Sequence, residues 1–252
     1  MGILAKKKPL KDIEQRKLVV VYGKSNTGKT VFSASFPKPL LYLSIGDDGS
    51  NPIAEVDDID SIKLETALEL KQVLTELLES KKDEYKSVVV DTFSLFVNVW
   101  THDNIISKNK RMTQSDWGNL KTDIEEIIRL SHKLAEKMWV VLTCHEAADA
   151  FEGLEEEITP DIRPNVSKGA RTYLEGMANY GIHCTKLSKT VEKNGVEKTL
   201  VKYAAHIGAN EYYWTKVQVP KETKVPSIIL NPTYEKLMEA LGGTNNGKKE
   251  ED

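Results

Sequence analysis

The segment LVVVYGKSNTGKT, Leu18 to Thr30, constrains the fold of this chain more than any other part of the sequence. An apolar run precedes Gly23, and four residues separate Gly23 from Gly28, which Lys29 and Thr30 follow. This spacing is the Walker A pattern, and here it lies between a strand-like run and the helical sequence TVFSASF. A strand, a glycine-rich loop and a helix in this order predict an α/β protein that binds nucleotide phosphates.

The residues of this loop have distinct predicted roles. Glycines allow backbone N–H groups to curl around phosphates, Lys29 supplies a cation for the β- and γ-phosphate oxygens, and Thr30 can bind Mg²⁺. ATP and Mg²⁺ are therefore the expected ligands. The predicted nucleotide contacts are Gly23, Lys24, Ser25, Asn26, Thr27, Gly28, Lys29, Thr30 and Val31.

Short apolar runs alternate with helical patterns along the rest of the chain. The runs KLVVVY, LLYLSI, SVVVDT and MWVVLTC are nearly continuous in apolar residues, as is typical of strands buried on both faces of a parallel sheet. Later, Asn194-Gly195 separates two strand-like segments, which predicts an antiparallel hairpin. We expect an α/β fold with a mainly parallel central sheet that antiparallel hairpins extend.

Helices are expected between these strands. Thr66 and Glu69 form a capping box before leucines at helical spacing up to Ser80, and a second apolar stripe runs from Leu120 to Met138. A last short helix is expected in NPTYEKLMEAL, before glycines. The predicted regions are a basic N-terminal tail (1–17), one core domain (18–241) and a disordered C-terminal tail (242–252).

Composition limits the classes of partner. The 252 residues carry a formal net charge of -3 at pH 7, so a nucleic-acid surface must be local rather than global. Cys144 and Cys184 lie in apolar runs without metal or redox spacing, which indicates reduced, buried thiols in a cytoplasmic protein. No apolar run approaches the roughly 18 residues of a membrane span, so no membrane partner is expected.

Candidate catalytic side chains follow the ends of three predicted strands, which meet at one edge of a parallel sheet. Asp91 ends SVVVDT in the usual Walker B position, where it can bind Mg²⁺ together with a P-loop hydroxyl, although it can also be a plain helix cap. Asp47 or Asp48 can position or activate water, but GDDG is also ordinary turn chemistry. His145 and Glu146 follow WVVLTC, where a polar side chain can sense the γ-phosphate.

The order of these parts resembles the RecA-like ATPase core. The segment PNVSKGARTYLEGMANYGIHC resembles the part of that core where a DNA-binding loop ends in a helix and the chain re-enters the sheet. More narrowly, KPLLYLSIGDDG, DWGNLKTDIEEII, WVVLTCHEA and the closing YYWTKVQVP and ILNPTYEKLMEAL resemble the bacteriophage RecA-core nucleotide-binding proteins, which are single-strand annealing recombinases. The resemblance covers Leu18 to Leu241 and implies a RecA-like P-loop NTPase core.

The resemblance also implies a function and site roles. It implies a slow ATPase stimulated by single-stranded DNA, which anneals DNA in phage recombination in the host cytoplasm, with a single-strand binding protein as a further partner. It implies a homo-oligomer, a ring or filament with ATP between subunits, and Lys216 as the cation that reaches across. Asp47 or Asp48 stands where the core has a catalytic glutamate, and His145 where it has a sensor glutamine. These two departures bear on the hydrolysis rate more than on binding.

Two segments have the content of single-strand sites, in which cations meet phosphates and a base stacks on an aromatic ring. ISKNKRMTQSDWGN brings Lys108, Lys110 and Arg111 close to Trp117, although Trp117 can also pack beneath its helix. The second segment, Ala147 to Arg171, is acidic at first and basic at its end. Its candidate DNA contacts are Arg163, Lys168 and Arg171. For both segments the alternative is a solvated, charged loop.

Two other functions are compatible with a P-loop. A nucleoside or nucleotide kinase usually clamps its two phosphate groups with several lid arginines. The chain has five arginines, Arg16, Arg111, Arg129, Arg163 and Arg171, and they form no cluster in the sequence. The other alternative is a nucleotide-switched scaffold that does not hydrolyse ATP, which the aspartates in place of glutamate favour.

Overall fold

The computed structural model describes residues 15–46, 50–80, 84–152, 158–193 and 196–242, together with Lys7 and Pro9. Its strands are β1 (Leu18–Tyr22), β2 (Leu40–Ile45), β3 (Ile59–Leu64), β4 (Ser87–Asp91), β5 (Trp139–Cys144), β6 (Glu146–Glu152), β7 (Ile158–Pro164), β8 (Tyr180–Lys193), β9 (Val196–His206) and β10 (Ile228–Leu230). The α-helices are α1 (Lys29–Ala34), α2 (Ala67–Glu79), α3 (Phe96–Thr101), α4 (Gln114–Leu134), α5 (Lys168–Met177) and α6 (Tyr234–Ala240).

The central sheet has the strand order β10-β9-β8-β1-β5-β4-β2-β3. The six strands from β8 to β3 in this order are mutually parallel, whereas β9 and β10 extend the sheet in antiparallel pairing. The P-loop strand β1 is separated from the Walker B strand β4 by β5. The expected mainly parallel sheet with an antiparallel extension is confirmed.

Apolar side chains on both faces of the sheet form two cores, because consecutive residues of a strand point to opposite faces. On one face, Val20 and Leu142 pack with residues of α2, α4 and α5. On the other face, Val19 and Val141 pack with Phe32 of α1 and with residues of α6. The four strands predicted to be buried on both faces are buried along their whole length.

Helix α2 begins as expected, whereas the helix that carries the second apolar stripe begins before Leu120 and ends before Met138. Thr66 caps α2 with a capping box to Glu69. Helix α4 begins after a second capping box, which joins Thr113 and Asp116, and ends at Leu134. Met138 was expected to continue the stripe of α4; instead it is buried in the connection that turns into β5.

Strands β3, β6 and β7 were not predicted. In β3, only Leu64 is fully buried, so the apolar signal of an internal strand is missing at this edge of the sheet. Strands β6 and β7 pair antiparallel with each other in a separate two-stranded sheet, within a segment expected to be a loop. The predicted late hairpin is present, because Lys193 of β8 lies opposite Val196 of β9. The Asn194-Gly195 turn and most residues of the two predicted tails lie outside the described residues.

Candidate nucleotide-binding site

The P-loop connects β1 to α1 with glycines at two positions that need them. Gly28 has φ +84° and Gly23 has φ +152°, and a Cβ at Gly23 would lie 2.2 Å from the carbonyl oxygen of Cys184. A side chain at either position would be strained, and at Gly23 it would also collide with β8. The turn therefore depends on the glycines that define the sequence pattern.

The side chain of Lys29 is folded back into this loop. Its ammonium donates hydrogen bonds to the backbone oxygens of Gly23, at 3.0 Å, and Lys24, at 2.7 Å. Burial lowers the pKa of Lys29, and nearby Cys184 and Asp91 act in the opposite direction. A buried ammonium that lines an open cleft is a favourable site for the negative charge of a polyphosphate.

Asp91 is the centre of a hydroxyl cluster at the end of β4. Its Oδ2 accepts hydrogen bonds from Thr30 at 2.7 Å and from Tyr42 at 2.8 Å. Its Oδ1 accepts from Thr92 at 2.7 Å and from Thr143 at 2.5 Å. Burial acts to raise the pKa of Asp91, but the hydrogen bonds from these four hydroxyls lower it below its ordinary value. Asp91 is therefore an ionised carboxylate at neutral pH.

Thr30 and Asp91 fit a Mg²⁺ site. A threonine hydroxyl and an ionised carboxylate in direct contact provide hard oxygen ligands, which Mg²⁺ prefers. Both residues line the same cleft as Lys29, so the metal would lie beside the phosphates. The predicted pairing of Thr30 and Asp91 agrees with their geometry.

The cleft has a volume of about 650 Å³ and extends from the P-loop toward β9 and α6. Tyr203 of β9 forms one wall, because a Cβ at Gly28 would lie 3.1 Å from its ring. The side chain of Asn231 lies beside this ring. Its orientation is fixed because its Oδ1 accepts a hydrogen bond from the backbone N–H of Tyr203 at 3.2 Å. That bond leaves the amide N–H groups of Asn231 as donors. Pro52, Leu95 and Pro232 complete an apolar half of the cleft.

Tyr203 and Asn231 were not among the predicted site residues. They lie far along the chain from the P-loop, and only the pairing of β9 with β8 and β10 brings them there. The spacing of a local motif cannot show such a contact. A flat aromatic ring beside fixed amide donors is suited to a nucleobase.

We expect Tyr203→Ala to weaken ATP binding about 10-fold, because stacking of a base on an aromatic ring contributes about 1–3 kcal/mol. Tyr203→Phe keeps the ring and should bind ATP as the wild type does. Competition against a fluorescent ATP analogue measures both dissociation constants. Equal affinities for the two variants would contradict stacking at this ring.

His145 and Glu146 are neighbours in sequence but lie on opposite sides of the P-loop. His145 lines the nucleotide cleft, and its backbone N–H donates to Ser94 Oγ at 2.9 Å. Burial and then the charge of Lys29 lower the pKa of His145, so the ring is neutral at pH 7 although Asp91 acts to raise its pKa. Glu146 instead faces a second cavity behind the loop, where His183 contacts it.

The remaining predicted catalytic and trans-acting residues are placed differently. Asp47 and Asp48 lie outside the described residues. In the described part of the chain, Asp91 is the one acid and Lys29 the one Lys or Arg that line the cleft. Lys216 donates to the backbone oxygens of Glu175 and Gly176, at 2.9 and 3.0 Å, at the end of α5. To act on a neighbouring subunit, Lys216 would have to release both carbonyls.

The predicted DNA contacts lie on a loop, two helices and a strand. Lys108, Lys110 and Arg111 are exposed before α4. Trp117, in the first turns of α4, is 56% exposed and does not pack beneath its helix. Lys168 is exposed at the start of α5, where Arg171 is half-buried.

Arg163 differs from the other predicted DNA contacts. From β7 it donates to Asp161 at 2.6 Å and to Glu175 at 3.4 Å. These two carboxylates neutralise its charge. Arg163 therefore contributes less to a positive surface than its sequence position indicates.

Comparison with known proteins identifies the family. Residues 15–206 match the model of a family described as an AAA domain. The chain belongs to this family. In this AAA domain protein one strand separates the P-loop strand from the strand that ends in Asp91, and its family and P-loop imply nucleotide binding. A search of curated proteins finds no match.

Three solved structures are similar to this AAA domain protein at low identity. The RadB recombinase is 14% identical with a TM-score of 0.45, over 75% of this chain and 79% of that chain. The flagellar accessory protein FlaH from Methanocaldococcus jannaschii is 12% identical with a TM-score of 0.35, over 75% and 76%. The P4 protein of bacteriophage phi6, in complex with ADP, is 12% identical with a TM-score of 0.37, over 73% and 57%.

Two further predictions concern the cysteines and membrane-spanning segments. Cys144 and Cys184 are buried free thiols on the two strands beside β1, as expected, and burial raises the pKa of each to about 12. Among the described residues, no helix combines the length and apolar character needed to cross a bilayer.

Proposed function

We propose that this AAA domain protein binds and slowly hydrolyses ATP, binds single-stranded DNA and promotes its annealing in phage recombination. The observation that supports ATP chemistry best is the 2.7 Å hydrogen bond between Thr30 and Asp91, beside the buried ammonium of Lys29. In P-loop ATPases a loop hydroxyl and a strand-end carboxylate hold Mg²⁺, while the loop lysine contacts the β- and γ-phosphates. The three groups occupy one cleft of this chain.

Each of these side chains has a role in the proposed hydrolysis. Lys29 places positive charge where negative charge develops on the transferred phosphoryl group. Thr30 and Asp91 hold Mg²⁺, which supplies further positive charge to the phosphate oxygens. His145, neutral at pH 7, forms a hydrogen bond to the γ-phosphate or to the attacking water. Asp47 or Asp48 remains our proposal for the acid that activates this water.

The support for DNA binding is a local surface of α4, α5 and the segment before α4, called here the α4–α5 surface, which is formed by Lys110, Trp117, Lys121 and Lys168. Trp117 and Lys121 are four residues apart on α4 and so share a face. The two helices meet at this face, because a Cβ at Gly169 of α5 would lie 3.2 Å from Cδ of Lys121. Hydrogen bonds from Thr113 lower the pKa of Asp116, beside Trp117, and Lys110 is close enough to lower it further.

This α4–α5 surface has the two components of a sequence-independent single-strand site. Lysine ammonium groups attract phosphates, and an exposed indole offers a stacking platform. The net charge of -3 means that attraction to DNA must come from a local patch of this kind. Of the residues predicted as DNA contacts, Lys110, Trp117 and Lys168 belong to this surface, and Lys121 is an addition from the structure.

We also propose that the protein works as a ring or filament of identical subunits, and that single-strand binding protein is a further partner in the host cytoplasm. Lys29 is the one cation lining the cleft in the described residues, against the four negative charges of ATP. A cation from a neighbouring subunit would complete the site. Lys216 is our candidate, provided that assembly releases it from α5.

The test of the DNA proposal is a fluorescence anisotropy titration with a labelled oligo-dT, with Mg-ATP and with Mg-ADP. We expect binding that requires ATP and weakens with salt, because neutralised phosphates release counterions. A double variant, Lys121→Glu with Lys168→Glu, should weaken binding at least 10-fold and make it less salt-dependent. Trp117→Ala should weaken binding by about 1–3 kcal/mol with the salt dependence unchanged.

The matched control is Lys221→Glu, an exposed charge reversal in the segment that packs on the opposite face of the sheet. It should bind DNA as the wild type does. Annealing of two complementary labelled strands is then followed with the same variants. If wild-type protein with Mg-ATP ignores single strands, the recombination proposal is wrong. Phosphoryl transfer to a nucleoside or nucleotide then identifies a kinase, and tight ATP binding without turnover identifies a scaffold.

A further inference from the structure

A second cavity, of about 360 Å³, lies behind the P-loop and contains a buried pair of side chains. His183 of β8 is 1% exposed, and its Nε2 lies 2.8 Å from Oε2 of Glu146. The imidazole ring stacks on Tyr213 with 3.9 Å between ring centroids and 19° between planes. The other carboxylate oxygen of Glu146 faces the ammonium of Lys24 in the P-loop, at 4.0 Å.

The hydrogen-bond inventory of His183 determines its tautomer. Nδ1 is buried and has no partner among the described residues. Burial lowers the pKa of His183, although the hydrogen bond to Glu146 acts to raise it, so the ring is neutral at pH 7. A buried N–H without an acceptor is costly, which places the hydrogen on Nε2. His183 therefore donates a hydrogen bond to the carboxyl group of Glu146.

This hydrogen bond connects the β6–β7 hairpin to the central sheet, with which neither strand of the hairpin pairs. Glu146 is the first residue of β6, and β6 pairs with β7 rather than with the central sheet. His183 belongs to the central sheet and is paired with Tyr22 of β1, one residue before the P-loop. The base of the β6–β7 hairpin is thus fastened by a side chain to the strands that carry the P-loop.

His145 is the residue immediately before Glu146, and it faces the nucleotide cleft. In an extended chain consecutive side chains point to opposite sides, so the direction of one determines the direction of the other. We propose that Glu146 and His183 are positioning residues that aim His145 at the γ-phosphate. Glu146 is then not a catalytic acid but the anchor for the residue that senses ATP. This inference rests on the ATP chemistry proposed above.

The test compares Glu146→Ala with Glu146→Gln, and His183→Phe with His183→Gln. In Glu146→Gln the new amide oxygen still accepts a hydrogen bond from His183, and in His183→Gln the new amide still donates one to Glu146. His183→Phe keeps an aromatic ring against Tyr213 but removes the hydrogen bond. We expect Glu146→Ala and His183→Phe to lower kcat about 10-fold or more, and the two glutamine variants to restore most of it. Affinity for ADP should stay within about 2-fold in all four, because ADP has no γ-phosphate.

A second measurement does not need hydrolysis. The ratio of the dissociation constants of ADP and of a non-hydrolysable ATP analogue reports contact with the γ-phosphate, and it should fall toward one in Glu146→Ala and His183→Phe. The control is Glu126→Ala, which removes an ion pair to Lys71 on α2 and should change neither kcat nor the ratio. Thermal unfolding checks that each variant is folded.

The outcomes separate this inference from the proposed function. A wild type that binds but does not hydrolyse ATP contradicts the proposed ATPase, and the affinity ratio still decides the role of the pair. If wild type is active and Glu146→Gln is as slow as Glu146→Ala, the carboxylate itself acts in the reaction and the positioning role is wrong. An equal loss of ADP affinity and kcat would also overturn it.

Discussion

Lys29→Met is expected to weaken ATP binding at least 100-fold, about 2.7 kcal/mol, and to lower the hydrolysis rate by about 10²–10³. The ammonium is buried in the loop and is the one cation lining the cleft in the described residues, so nothing nearby replaces its charge. Methionine keeps most of the apolar stem and removes only the charge. Calorimetric titration with Mg-ATP and a phosphate-release assay measure the two losses.

The same substitution should leave the protein without nucleotide about as stable as the wild type. Burial of the ammonium opposes folding, as its lowered pKa shows, while its hydrogen bonds to two backbone oxygens favour folding. These contributions have opposite signs. Wild-type protein at ATP concentrations of about 100 times its dissociation constant should gain about 2.7 kcal/mol of stability, and Lys29→Met should gain almost none.

Lys63→Met is the matched control for this prediction. It makes the same chemical change on the exposed edge strand β3, away from the cleft. ATP affinity and the ATP-induced gain in stability should equal those of the wild type. A Lys29→Met protein that still gains about 2 kcal/mol with Mg-ATP would show that the nucleotide does not depend on this ammonium.

The parts of the site that could be predicted are those encoded in short segments. The P-loop is a local turn whose glycines are required by positive φ and by the close approach of Cys184, so its spacing is visible in the sequence. Asp91 is the last residue of a strand buried on both faces, and such a strand is a clear apolar run. His145 follows another such strand and lines the cleft.

The parts that could not be predicted depend on contacts between distant segments. Tyr203 reaches the cleft only because β9 pairs with β8, and β8 in turn pairs with β1. Four consecutive residues of β3, from Asp60 to Lys63, are exposed, and the composition is mixed, so the pattern of a buried strand is absent. The pairing of Glu146 with His183 joins residues 37 positions apart. The sequence alone does not show whether Glu146 faces the nucleotide cleft or the second cavity.

The neutralisation of Arg163 is a further example of such a limit. From sequence it is a cation near Lys168 and Arg171, and all three have the same formal charge. In the structure, Asp161 two residues earlier and Glu175 on α5 accept its hydrogen bonds. Counting charges in a segment does not show which of them face solvent. The α4–α5 surface is therefore defined by exposed lysines and an indole rather than by arginines.

Asp91→Asn should lower Mg²⁺-dependent hydrolysis at least 100-fold and also destabilise the protein by about 2 kcal/mol at pH 7. Two hydroxyls donate to each oxygen of the carboxylate. In Asp91→Asn an NH₂ group, which is only a donor, replaces one of these oxygens, so the two hydroxyls on that side lose their acceptor. Affinity for ADP without Mg²⁺ should stay within about 3-fold, because the P-loop is intact. Asp123→Asn, whose amide oxygen can still accept from Trp100, should leave hydrolysis unchanged.

The stability loss in Asp91→Asn should depend on pH in a defined direction. The folded-state pKa of Asp91 lies below its ordinary value, so the carboxylate stabilises the folded state above pH about 4 and loses this contribution as pH falls through the folded-state pKa. Urea unfolding of wild type and variant between pH 7 and pH 3 should therefore give a free-energy difference that is constant down to about pH 5 and then narrows. A difference that widens on acidification would mean that the folded protein holds Asp91 protonated, and a protonated acid is a poor ligand for Mg²⁺ at the terminal phosphate.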